Sequence, residues 1–143
     1  MRLNWLFIAL VLVSVFSSCN KTTLRSITYV YEPFDFSGVK ATVKVEEVMV
    51  SDKSTIKITS DITGLTPGKI YASHIHEGEM QKAGAIIFNF DKINSTTGKS
   101  SSIVSMNITY DEYLLWDACY IIDNPDDPTR AVLKGNLGIN HTQ

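Results

Sequence analysis

The sequence predicts an all-β fold, a Greek-key β-sandwich of about seven to eight strands with one short helix near residues 109–116. Three observations carry that prediction. Apolar and polar residues alternate with period two in about seven separate stretches, the signature of strands buried on one face. Turn-forming residues separate those stretches at short intervals. The composition is globular, with 44% apolar and 20% charged residues and only 8 Gly and 4 Pro in 143 residues, which suits one packed core and excludes a disordered or collagen-like chain. Thirteen Lys and Arg against 15 Asp and Glu give a net charge of −2. With no basic block to neutralise phosphates, the chain is not expected to take nucleic acid as a partner.

The first element in the chain lies outside the sandwich. Behind Arg2, Leu6 to Phe16 is apolar except for Ser14. That run is too short for a transmembrane helix, which needs about 20 residues, and it has the layout of a secretory signal: a cationic start, a short apolar core, then the small residues Ser17 and Ser18. Phe16-Ser17-Ser18-Cys19 resembles the bacterial lipobox, with Phe16 where Leu is usual. The resemblance implies cleavage after residue 18 and diacylation of Cys19, the lipid attachment site and first residue of the mature chain. The expected organisation is a signal peptide over 1–18, a lipidated cysteine and short polar tether over 19–26, and the folded domain over 27–143. Cys119 is then the only free thiol, so no intramolecular disulfide is available. The acidic balance offers little to anionic headgroups, and stable attachment to the membrane needs at least two acyl chains. Asn20-Lys21-Thr22-Thr23 lacks an acidic export-like cluster, so the expected location is the bacterial cell envelope, on the outer membrane facing the periplasm.

Within the domain, Val39, Ala41, Val43 and Val45 alternate with Lys40, Thr42, Lys44 and Glu46, a half-buried strand. The pattern recurs over 55–62, 70–76, 85–90, 102–109, 118–122 and 131–139. Ser51-Asp52-Lys53-Ser54 and Thr66-Pro67-Gly68 read as tight turns. Asn94 to Lys99 and Asn124 to Pro128 read as longer exposed loops. One segment breaks the period. Thr109-Tyr110-Asp111-Glu112 has the Thr-x-x-Glu spacing of a capping box, in which two helix-start donors are satisfied reciprocally. Tyr113, Leu114 and Trp116 follow, so a turn or two of helix is expected there, with Leu and Trp covering one end of the sandwich.

The chemically richest stretch is His74-Ile75-His76-Glu77-Gly78. Two histidines at i and i+2 on a strand point to one face, close enough to share a metal. Two readings stay open: imidazoles held in structural hydrogen bonds, or a Cu or Zn site. The only other histidine is His141, whereas tight and catalytic centres use three or four ligands. Because Ile70 and Ala72 share the histidine side, that side is expected to begin in the core, with His74 more buried than His76. Asp123, Asp126 and Asp127 could hold Ca²⁺ through oxygen ligands, but Pro125 and Pro128 beside them indicate a solvated turn. Cys119 sits among Ala118, Tyr120, Ile121 and Ile122, neighbours that imply burial and low reactivity. No Gly-x-Ser-x-Gly elbow or glycine-rich phosphate loop is present.

Four segments in order, Asp61 to Gly68, His74 to Gly78, Ala83 to Phe88 and Leu133 to Gly138, resemble the CHRD domain, named after chordin and also found in bacterial secreted and lipid-anchored proteins. The resemblance covers roughly 39–138 and implies a sandwich similar to that of copper/zinc superoxide dismutase, whose Leu-x-x-Gly and His-x-His run also looks like 65–76. It implies no activity. The dismutases add further histidine ligands and usually a disulfide, and many CHRD domains carry a late Asn-x-His where this chain reads Cys119 to Asn124. A redox metal centre cannot be built on two imidazoles. The expected function is therefore a non-catalytic, lipid-anchored binding or structural module that meets an envelope protein or glycan. The alternative is a periplasmic Cu- or Zn-binding protein using His74 and His76.

Overall fold

The computed structural model describes residues 24–104 and 107–141. The expected signal peptide, Cys19 and most of the tether lie outside the described residues. Ten strands and one helix follow in order: β1 Ser26–Tyr31, β2 Lys40–Val50, β3 Lys53–Thr63, β4 Ile70–Tyr71, β5 Ser73–Glu77, β6 Ile86–Asn89, β7 Ile93–Asn94, β8 Lys99–Ile103, α1 Tyr110–Leu114, β9 Asp117–Asn124 and β10 Asp127–Gly138. One sheet has the order β1-β2-β3-β8 and the other β10-β9-β5-β6, all pairs antiparallel, while β4 and β7 form a small two-stranded ribbon. β8 returns beside β3, and β9 beside β5, the return connections of a Greek key. The fold is an all-β sandwich with one short helix.

The core follows from alternation. Tyr29, Val43, Val45, Ile56 and Ile58 of the first sheet are buried, as are Ile75, Tyr120, Ile122, Leu133 and Leu137 of the second. All six tyrosines of the chain are buried. Each hydroxyl so enclosed is costly without a partner, and most have one: the Tyr113 hydroxyl donates to that of Tyr29 at 2.6 Å, Tyr31 donates to the Asn136 carbonyl at 2.6 Å, Tyr120 meets Ser60 across the sandwich at 3.0 Å, and Tyr71 accepts from the Thr66 amide at 2.9 Å. Burial pushes the ionisation of Tyr29, Tyr31, Tyr110, Tyr113 and Tyr120 above the usual phenol value. Gly135 makes room for this cluster, because a Cβ there would run into the Tyr31 ring.

Turns explain the register. Val50 pairs with Lys53, and both intervening residues, Ser51 and Asp52, have positive φ, the backbone of a type I′ hairpin turn. Thr66 to Lys69 closes with Pro67 second and Gly68 at φ +79°, a type II turn. The expected long loop at 124–128 is instead a tight hairpin in which Asn124 pairs with Asp127, and the extra length appears as bulges farther along β10. The expected strand at 102–109 lies earlier, as β8, so Lys99 belongs to a strand and not to a loop. β1 was not foreseen, and it begins inside the expected tether, with Ser26 already paired to Glu46.

The capping box forms as expected: Thr109 accepts from the Glu112 amide, and Glu112 accepts from the Thr109 amide at 2.8 Å. The residues that plug the end of the sandwich are Tyr110 and Tyr113, not Leu114, which is exposed. Arg25 ties this helix to the first sheet, bonding Glu47 and Asp111 while its guanidinium lies 4.7 Å from the centre of the Tyr110 ring.

Candidate functional site

β5 is the strand on which the expected site stands. Its alternation is opposite to the one read from the sequence: Ser73 and Ile75 are buried inward, as is Tyr71 on β4 just before it, while His74 and His76 lie on the outer face. The reason is the neighbours. β5 pairs with β9 so that Ser73 stands beside Ile122 and Ile75 beside Tyr120, both core residues, whereas His74 stands beside Ile121 and His76 beside Cys119. Ile70, whose apolar character pointed the other way, is exposed on the small ribbon.

On that outer face the two imidazoles are not equivalent. His74 is only 12% exposed at its side chain, its Nε2 lies 2.6 Å from Asp123 on β9, and its Nδ1 lies 3.1 Å from Asn89 on β6. The Asp123 carboxylate accepts from Nε2, and the Asn89 amide can turn to accept from Nδ1 or donate to it. The Nδ1 of His76 donates to the Gly84 carbonyl at 2.9 Å, which leaves its Nε2 with the lone pair in the neutral ring. The rings stand 5.7 Å apart, edge to face.

The segment after β5 folds over the outer face. Gly78 donates to Asp117, Gly84 to Glu77, and the Met80 amide reaches Asn136 on β10 at 2.8 Å. Cys119, flanked in the sheet by His76 and Asn136, is fully buried. Burial pushes its thiol up to about 11, so it is a poor nucleophile near neutral pH.

As a Cu or Zn centre, this donor set is short. Both nitrogens of His74 are engaged, and among the described residues no group of three or more His, Cys, Asp and Glu is arranged to hold a metal ion. His141 is elsewhere, edge-on to Tyr29 at 4.4 Å. The three aspartates do not converge either: Asp123 meets His74, Asp126 meets Lys69 at 2.5 Å, and Asp127 meets Thr129.

A second feature was missed from the sequence. Phe34 to Ser37 closes a tight turn whose two central residues, Asp35 at φ +52° and Phe36 at φ +57°, are both left-handed and neither is glycine. Such conformations cost roughly 1–3 kcal/mol each. Phe36 is wholly exposed at 102% of its reference area. Asp35 pairs with Arg130, and beside the turn a polar hollow of about 250 Å³ is lined by Asp35, Ser37, Thr66, Asn124, Asp126 and Arg130. The signal was present as Pro33-Phe34-Asp35-Phe36-Ser37-Gly38, two aromatics inside turn-forming residues, where solvent-facing loops carry contacts.

Comparison with family models, with curated proteins and with solved structures finds no match for this chain.

Proposed function

We propose that this chain is a lipid-anchored binding module of the bacterial cell envelope, attached through Cys19 to the outer membrane on its periplasmic side, that contacts an envelope protein or glycan without catalysing a reaction. One observation carries the reading: an entirely exposed phenylalanine held on a left-handed turn. A solvent-exposed aromatic on a strained turn gains nothing for the isolated fold, and buried aromatics dominate recognition once a partner covers them. The polar hollow beside Phe36, edged by Asp35 and Arg130, supplies hydrogen-bonding groups of the kind a protein loop or a sugar would meet. The CHRD resemblance belongs to this proposal and supplies an expected fold rather than an activity. A photo-crosslinking residue at position 36, expressed in cells, is expected to yield a discrete adduct or to label purified peptidoglycan. The same residue at exposed Ser101 on β8 is the control. Equal labelling from both positions, or none from either, would reject the reading.

A second reading, Cu or Zn binding by His74 and His76, is favoured by one feature: the hydrogen bond to Gly84 leaves the His76 Nε2 unoccupied. Binding would require His74 to leave Asn89, with Asp123 holding the opposite nitrogen as an outer-sphere partner. Elemental analysis decides between the readings. Stoichiometric Cu or Zn that survives dialysis and is lost in His76→Ala would establish the second.

A further inference from the structure

The end of the sandwich where the chain enters carries an apolar surface that the fold leaves uncovered. Leu115, just beyond α1, is 73% exposed, and Leu114, Ile139 and Leu24 are also exposed. They belong to one region. The Ile139 amide donates to Trp116, Trp116 donates to Tyr113, and Arg25, next to Leu24, reaches Asp111 in the same helix. α1 has only five residues, about 7 Å of axis, so Leu114 at its end and Leu115 just after it lie close to the point of entry.

The length of chain before that point selects what covers the surface. Cys19 precedes Leu24 by five residues, which reach at most about 17 Å when fully extended. If Cys19 carries acyl chains, this end of the domain is held near the headgroups, while Phe36 lies beyond the far end of β1, about 20 Å along the strand. The acidic groups at this end are engaged within the fold. Asp111 is paired with Arg25, Glu112 caps Thr109, and Asp117 accepts from the Asn140 amide, so each acidic group here has an internal partner. A tryptophan beside leucines, with its polar neighbours satisfied, is the composition that settles at a membrane interface.

We infer that Leu115, Leu114, Ile139 and Trp116 form a membrane-docking face that lies against the bilayer holding the lipid anchor and points the Phe36 turn away from it. The inference rests on lipidation at Cys19 and adds an orientation to it: the anchor is a hinge whose domain is laid down on one particular end. Docking uses apolar contact, not headgroup charge, so it does not require anionic lipid.

Trp116 is a ready reporter, because the only other tryptophan is Trp5, within the expected signal peptide. Full-length protein purified from membranes would be reconstituted in phosphatidylcholine vesicles whose acyl chains carry bromine near the headgroup. The expected result is strong quenching of Trp116 in the wild type, and at least a twofold reduction in Leu115→Glu and Ile139→Glu, with palmitate labelling, vesicle flotation and thermal melting unchanged. Flotation without quenching in the wild type, or equal quenching in both variants, would overturn the docking face and leave the anchor standing. Absence of both label and flotation would overturn the anchor and the docking with it. A dimer that the Leu115→Glu change dissociates, with no quenching in vesicles, would show that a second copy covers this surface and would likewise overturn the inference.

Discussion

Strands β5 and β9 present two polar networks on opposite faces of one sheet, and the two weigh very differently. Inside, Tyr120 of β9 reaches across to Ser60, beside buried Ser73 and Ile75 of β5, in surroundings closed to water. Outside, His74 bridges Asn89 and Asp123 where solvent competes for the same groups. Bond lengths are alike on both faces. What differs is the alternative each group has when its partner is lost: none inside, water outside. Adjacent residues of a single strand can therefore differ severalfold in their contribution to stability.

The largest effect should come from the inner face. Tyr120→Ala removes a ring that packs edge to face on Phe90 at 5.5 Å and strands the Ser60 hydroxyl. A loss of roughly 3–5 kcal/mol is expected, read as a fall in the urea midpoint. A loss under 1 kcal/mol would erase the contrast between the faces.

Alkali should strike the same face. Burial holds several phenols above their usual ionisation, near 10. Above that pH the unfolded chain gives up protons that the folded chain keeps, so stability is intact below about 10 and falls as pH rises past it. The absorbance step of tyrosinate and the loss of far-ultraviolet circular dichroism should coincide. Phenolate appearing several pH units before unfolding would mean the tyrosines are accessible. At the other extreme, Arg25 holds Glu47 down at about 2. The contribution of this exposed pair is present above the unfolded value of about 4.5 and fades as pH falls toward 2.

On the outer face, His74→Ala should cost about 1 kcal/mol and His76→Ala less, because His74 loses two partners and His76 one. Thermal melts in chelator compare them, and a larger loss for His76 would show that the His74 bridge contributes nothing. The smallest effect should have the opposite sign. Phe36→Gly relieves a left-handed phenylalanine and is expected to raise stability by up to about 1 kcal/mol, while weakening any envelope contact.

How far this pattern was legible depended on whether polarity and burial agree. In β2 and β3 they do, and both strands were read to within a few residues. In β1 they do not, because exposed Val30 stands between buried Tyr29 and Tyr31, so no alternation shows. Across β4 and β5 they conflict outright: Ile70 is outside and Ser73 inside. The inward side there is decided by which core residues of β9 lie opposite, a long-range pairing no local window contains. The two histidines were recognised as sharing a face, but their partners Asn89, Asp123 and Gly84 come from other segments, and register alone brings them together. β8, running Lys99-Ser100-Ser101-Ser102-Ile103, carries almost no period-two signal, and the expected strand drifted to the apolar residues after it. Thr109 to Glu112 was legible because a capping box is complete within four residues.

Six enclosed tyrosines in the same small domain as Trp116, with Tyr113 only 6.2 Å from it ring to ring, also make the folded domain an antenna. Light absorbed by the phenols passes to the indole by resonance energy transfer, so the native protein should emit almost entirely as tryptophan when excited through tyrosine. Separation of the rings on unfolding restores the tyrosine band. The ratio of the two emissions then reports folding from within the chain, with no label attached.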